Sequence, residues 1–280
     1  MAKATCLCAG VTWRSDSFEH MTHCYCSRCR KFHGTPFATT VVAERASFSL
    51  TGESLIVAHR TEGGGERRFC GRCGSAVPEA PRHGGVVVPA GNFDADPGVR
   101  PEAHHFVASK APWFALSGDL PRFDAYPPGV EAVSLPTRSP LDPEGSIRGS
   151  CLCGAVTFVV DGKLIGARYC HCTRCRKGRS AAHASNLLAA ADAVRFTRGQ
   201  ELIASYKVPK ARYFMHCFCR RCGSPVPRID AGRSLGVVPM GALDDDVPLR
   251  PACHIFFASK APWYSAADDL PRYDEYPPPA

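Results

Sequence analysis

The sequence is short of the features that mark membrane-spanning and exported proteins. Its 280 residues hold no apolar run of about eighteen or more, so no membrane-spanning helix is expected. The opening "MAKATCLCAG" carries neither an apolar core segment nor a small-residue cleavage site, so the expectation is a cytoplasmic chain without a secretory signal. Long helical hydrophobic periods are missing as well, which leaves short strands as the main regular structure. There is no Lys/Arg-rich tail and no alternation of aromatic with basic residues, the features a nucleic-acid-binding surface would need.

What the chain has in abundance is cysteine. Sixteen cysteines in a reducing compartment need a reason other than disulfides. Spacing points the same way, because cysteines in a C-x-C tripeptide do not readily bridge each other. Metal binding is therefore the leading reading. The formal charge of +8 fits it too: fourteen thiolates holding four divalent ions would bring it to about +2. Arg28, Arg30, Lys31, Arg174, Arg176 and Lys177 flank the cysteine clusters, where they would stabilise deprotonated sulfur.

The chain is written twice. "CLCAGVTW" at 6–13 returns as "CLCGAVTF" at 151–158, "FCGRCGSAVP" at 69–78 as "FCRRCGSPVP" at 218–227, and "RPEAHHFVASKAPWF" at 100–114 as "RPACHIFFASKAPWY" at 250–264. The offset grows from 145 to 150 along the copies, as small loop insertions allow. Residues 1–127 form the first expected domain and 150–280 the second, joined by a Pro/Gly/Ser-rich linker at 128–149. Two similar domains predict a mainly β chain arranged as a pseudo-dimer. "AVTFVV" at 155–160, "ATTVVA" at 38–43 and "GGVVVPAG" at 84–91 read as strands, and "SRCRKF" as a short helical turn.

In each copy the cysteines form a C-x-C, a C-x-C-x-x-C and a C-x-x-C-G. These are Cys6 and Cys8; Cys24, Cys26 and Cys29; Cys70 and Cys73; then Cys151 and Cys153; Cys170, Cys172 and Cys175; Cys219 and Cys222. Seven ligands per copy divide into four for a closed structural zinc and three for a site with an open position. The two distant pairs suit the structural ion, since together they clamp the start of a domain to its later strands. The triplet is then the exchangeable site, better suited to holding an incoming thiol as thiolate than to making hydroxide. A histidine would close it into a staple, and His23, His33 and His171 lie near enough in sequence to be weighed. The four-plus-three count favours the open site.

This order of motifs, C-x-C-G-x-V-x-F, C-H-C-x-x-C-R-K, F-C-x-x-C-G-S, P-x-x-H-I and A-P-W, resembles the glutathione-dependent formaldehyde-activating family, to which centromere protein V also belongs. The resemblance implies a zinc-stabilised β fold of the β-tent type and carbon-sulfur lyase chemistry, the reversible addition of glutathione to formaldehyde giving S-hydroxymethylglutathione. It also implies up to two zinc ions per domain, a structural one on the C-x-C and C-x-x-C pairs and a catalytic one on the triplet, with glutathione as co-substrate. Partners are then a small thiol and an aldehyde, with neither nucleic acid nor membrane.

Arg30, Lys31, Arg176 and Lys177 are expected to bind the carboxylates of the thiol. His183, standing where the first copy has Phe37, is read as a polar rim residue in preference to a proton donor. His104 and His254 are read as core histidines, Trp113 and Trp263 as core, and Cys217 and Cys253 as buried thiols outside the metal sites. The competing function is a zinc-stabilised binding or scaffold module, or one catalytic copy beside one scaffold copy.

Overall fold

A computed structural model describes residues 1–61, 65–81, 85–116, 118–129 and 145–278. The heart of the expected linker, residues 130–144, lies outside the described residues. Every sheet draws its strands from one copy only. In the first copy, Ala2–Thr5, Thr12–Ser15 and Ser49–Thr51 form a three-stranded antiparallel sheet. A five-stranded sheet runs in the order Arg122–Phe123, Ala103–His105, Phe18–Cys24, Ala38–Glu44, Gly85–Pro89, and Ile56–Arg60 pairs with Glu66–Cys70 as a separate ribbon. The second copy repeats all three, with one exchange of edges. Its five-stranded sheet gains Arg228–Asp230 beside Leu235–Pro239, whereas Arg272 makes only a single bridge to His254.

The β-branched segments form strands as their composition predicts, over Thr157–Val160, Ala38–Glu44 and Gly85–Pro89. The turn that carries the last cysteine of each triplet is a true helix, α1 at Ser27–His33 and α2 at Thr173–Arg179. Cysteine itself starts them: the Cys26 sulfur accepts the Cys29 N–H at 3.3 Å, and Cys172 accepts that of Cys175 at 3.4 Å, as an N-cap side chain does. Each helix ends on a left-handed residue, Gly34 and Ser180. Among the described residues no helix is long and apolar enough to cross a membrane.

The copies pack against each other through reciprocal contacts. Phe69 and Phe218 meet edge to face with centroids 6.4 Å apart. The left-handed Gly74 and Gly223 sit against them, each so close that an added Cβ would fall 2.5 Å from the partner copy's ring. Arg30 donates to the Gly241 and Leu243 carbonyls at 3.1 and 3.0 Å, and Arg176 to those of Gly91 and Phe93, both at 3.0 Å. Trp263 completes the seam with its indole N–H on the Ala90 carbonyl at 3.2 Å. A pseudo-dimer in one chain is what these symmetric contacts describe.

Candidate metal and thiol sites

The structure brings the sequence-distant pairs together. Cys6, Cys8, Cys70 and Cys73 place four sulfurs within 4.8 Å of one another, as do Cys151, Cys153, Cys219 and Cys222. Sulfurs in tetrahedral contact with zinc at about 2.3 Å are separated by about 3.8 Å. Here Cys6–Cys8 is 3.5 Å, Cys8–Cys70 3.7 Å, Cys151–Cys153 3.5 Å and Cys153–Cys219 3.9 Å. These groups can hold zinc: soft donors, tetrahedral spacing and burial all fit. All sixteen cysteines are free thiols.

The triplets Cys24, Cys26, Cys29 and Cys170, Cys172, Cys175 are equally compact, and Cys170–Cys172 is 3.7 Å. No histidine joins them among the described residues. His23 shares a hydrogen bond with Thr39 at 2.9 Å, His33 with the Arg179 carbonyl at 2.8 Å, and His171 with His254 at 2.8 Å. Hydrogen bonds from Cys170 and Cys175, then the Cys175 backbone N–H, pull the Cys172 thiol down to about 3, and the same bonds hold Cys26 well below the ordinary thiol range. Each triplet thus lowers the proton affinity of its own capping sulfur.

Each triplet opens into a cleft, of about 400 Å³ in the first copy and about 300 Å³ in the second. Tyr126 lines the first and Tyr276, at the matched position, the second. His105 lines the first, but Ile255 takes its place in the second.

One half-buried guanidinium stands by each triplet, and it comes from a different element in each copy. In the first, Arg67 of the ribbon lies 3.7 Å from the Cys29 sulfur. The matched residue in the second is His216, and there the arginine is Arg179 at the end of α2, where the first copy has His33. Cys175 counts among the charges acting on Arg179. Sequence reading missed Arg67, Arg179 and His105. The exchange of Arg and His between two aligned positions was the available signal.

Arg30, Lys31, Arg176 and Lys177 do not reach the clefts. Arg30 and Arg176 are buried in the seam described above. Lys31 pairs with Asp244 and with Ser150 at 2.5 Å, and Lys177 pairs with Asp94 and Thr5. Burial lowers the Arg176 pKa, with Asp94 and then Cys172 acting against it. Successive helical residues are turned about 100° from one another. Facing the triplet with Cys29 therefore turns Arg30 and Lys31 toward the other copy. Arg28 and Arg174 do line the clefts.

His183 is no rim residue. It is buried, with its ring 4.6 Å from Tyr169, 5.2 Å from His171 and 5.7 Å from Phe37 of the other copy. His104 and His254 are core histidines as expected: His104 bonds the Tyr25 hydroxyl at 3.0 Å, and His254 bonds Asp268 at 2.9 Å. Trp113 and Trp263 are buried, as is Cys217, while Cys253 is half-buried.

Burial lowers the pKa of His183 to about 3 with help from His254, of His23 to about 3 with help from His104, and of His104 to about 4 with help from Arg122. Their unfolded value is about 6.5. The unfolded chain thus binds more protons between these values, so stability is fully present above about pH 6.5 and falls as the pH drops toward 3–4. Each such histidine adds up to about 1.4 kcal/mol per pH unit to that slope. His183→Phe, which copies Phe37, is expected to flatten the slope by about one such increment. Urea midpoints between pH 7 and pH 4.5 measure it, and an unchanged slope would contradict the assignment.

A β scaffold with four-cysteine groups that can hold zinc and three-cysteine groups facing clefts defines a class of β domain present here in two copies. The family model described as glutathione-dependent formaldehyde-activating enzyme matches residues 1–109 and again residues 146–259, and the chain belongs to that family. No curated protein matches. Three solved chains match. One, the crystal structure of a Rhodobacter sphaeroides protein from structural genomics, is 29% identical, with 36% of this chain and 91% of that chain covered and a TM-score of 0.29.

Proposed function

We propose that the chain is a zinc-dependent carbon-sulfur lyase that adds glutathione or a related thiol reversibly to formaldehyde or another small aldehyde. The observation that carries this is the pair of three-cysteine groups, each facing a cleft with no fourth protein ligand among the described residues. Residues 1–127 and 150–280 are the two working units, in the cytoplasm. Cys6, Cys8, Cys70 and Cys73, with Cys151, Cys153, Cys219 and Cys222, hold the structural zinc ions. The triplets hold the exchangeable ones. When bound there, zinc supplies Lewis acidity that lowers the proton affinity of a substrate thiol.

The chain's own residues do the rest. Arg67 and Arg179 offset the negative charge of three thiolates and keep a substrate anion near them. The substrate sulfur forms a bond to the aldehyde carbon, the carbonyl π pair moves to oxygen, and the thiol proton ends on that oxygen as a hydroxyl. Burial lowers the His105 pKa, so its imidazole is neutral near pH 7 and suited to take the thiol proton and return it. Tyr126 and Tyr276 offer hydroxyls to the same oxygen.

Metal counting followed by NMR of glutathione with formaldehyde tests the reading. About four zinc ions per chain and faster exchange between free thiol and adduct are expected. Cys29→Ala and Cys175→Ala should each remove about one ion and slow exchange in the copy they alter by at least about 10²-fold. Full activity in both variants would reject the triplets as the working site.

A further inference from the structure

The two clefts differ in charge far more than the repeat suggests. Among the described residues six arginines line the second, Arg168, Arg174, Arg179, Arg212, Arg228 and Arg233, with no aspartate or glutamate. Among the described residues the first combines Arg28, Arg67 and Arg68 with Glu66 and Glu79. There the charges are paired, Arg67 to Glu79 at 3.0 Å and Arg68 to Glu66 at 3.9 Å. At the matched positions of the second copy, Met215 replaces Glu66 and Arg228 replaces Glu79, while Arg168 replaces Thr22. Both carboxylates are gone and two guanidiniums have been added.

Four of these arginines are held against aromatic rings and not by carboxylates. Arg168 lies over Tyr276 at 5.6 Å, Arg174 over Phe214 at 5.8 Å, and Arg212 and Arg233 over Tyr213 at 4.9 and 4.3 Å. Ring stacking orients a guanidinium and leaves its N–H edges to a ligand. Arg228 has a partner, Asp230 at 3.4 Å. Arg179 has a buried Nη1 without a hydrogen-bond partner, an unusual state for a charged donor. Like charges gathered in one cleft repel each other, and a multiply charged anion removes that cost.

We propose that the second cleft is a binding site for a small polyanionic thiol, one with at least two carboxylate or phosphate charges and no ammonium, while the first takes a zwitterionic thiol. Among the described residues no carboxylate lines the second cleft to meet an ammonium, and the nearby Asp230 is paired with Arg228, whereas the first is lined by Glu66 and Glu79. The cavity of about 300 Å³ stands at the small end of ligand sites, about 300–1,000 Å³. That the anion is a thiol rests on the chemistry proposed above, because Cys170, Cys172 and Cys175 line the same cleft. That it is an anion rests on the arginines alone.

Calorimetric titration of the zinc-loaded full-length protein tests this with mercaptosuccinate, 2-mercaptoethyl phosphate, succinate, glutathione and cysteamine. One of the two anionic thiols should bind at least tenfold more tightly than cysteamine, weakening as salt rises; which of them wins identifies carboxylate or phosphate as the source of charge. Arg228→Glu and Arg168→Thr, which restore the first copy's residues, should each lower the affinity ratio of anionic thiol to glutathione at least tenfold. Equal affinity for anionic thiol and cysteamine, or an unchanged ratio in both variants, overturns the proposal. Succinate binding that Arg228→Glu abolishes, with no adduct by NMR, would keep the anion site and reject the lyase reading. Adduct formation with a flat response across the anions would do the reverse.

Discussion

Cys70→Ala is expected to remove one zinc ion per chain and to destabilise the protein more than any change in the clefts. Cys70 is buried at the end of the ribbon strand Glu66–Cys70. Its sulfur, 3.7 Å from that of Cys8, ties this ribbon to the turn that leaves the first strand. Structural zinc contributes on the order of 10–16 kcal/mol of apparent binding free energy in small domains. Losing one of four ligands also leaves three thiolates crowded in a buried site. A loss of about 4 kcal/mol would lower the melting temperature by about 7 °C in a chain of this size. Metal analysis and scanning calorimetry on one preparation measure both effects. Undiminished zinc content with an unchanged melting temperature would sink the assignment of a structural ion to this group.

The second large effect is expected at the seam. Arg30 is 1% exposed and gives two hydrogen bonds to carbonyls of the other copy. Arg30→Met keeps most of the length but leaves both carbonyls without that donor. Bonds from a charged donor are worth about 1.5–3 kcal/mol each, so a loss of about 3–5 kcal/mol is expected. Gly241→Ala attacks the same contact from the other side, since its Cβ would fall 2.2 Å from the Thr35 nitrogen. Urea unfolding of the two variants should show similar losses. A change below about 0.5 kcal/mol in both would mean that the copies do not depend on this seam.

Much of the fold was legible because its signals are local. The motif repeats, the C-x-C and C-x-x-C spacings and the β-branched runs lie within a few residues of one another. Each carries its meaning without knowledge of distant contacts. Even the four-plus-three division of the cysteines could be read, since a zinc ion's preference for four sulfurs is a property of the ion and not of the fold.

Direction in space was harder to read. "CRK" follows each triplet, and adjacency suggested that its Arg and Lys serve the sulfurs. On α1 and α2 that adjacency becomes a large rotation, and the seam takes them instead. His183 went astray for a related reason. A histidine replacing Phe37 looks polar in a string of letters, but the matched position lies in the shared core, where burial keeps the ring neutral.

The sequence by itself determined the duplication, the mainly β class and the grouping of fourteen cysteines, because these rest on spacing and on the coordination preferences of a metal. Only the tertiary structure decided which arginines face the sulfurs. Arg67 and Arg179 reach their triplets from different elements, and the second cleft collects six guanidiniums from four separate segments. Electrostatic fields depend on distance through space, and chain folding sets that distance independently of position along the chain.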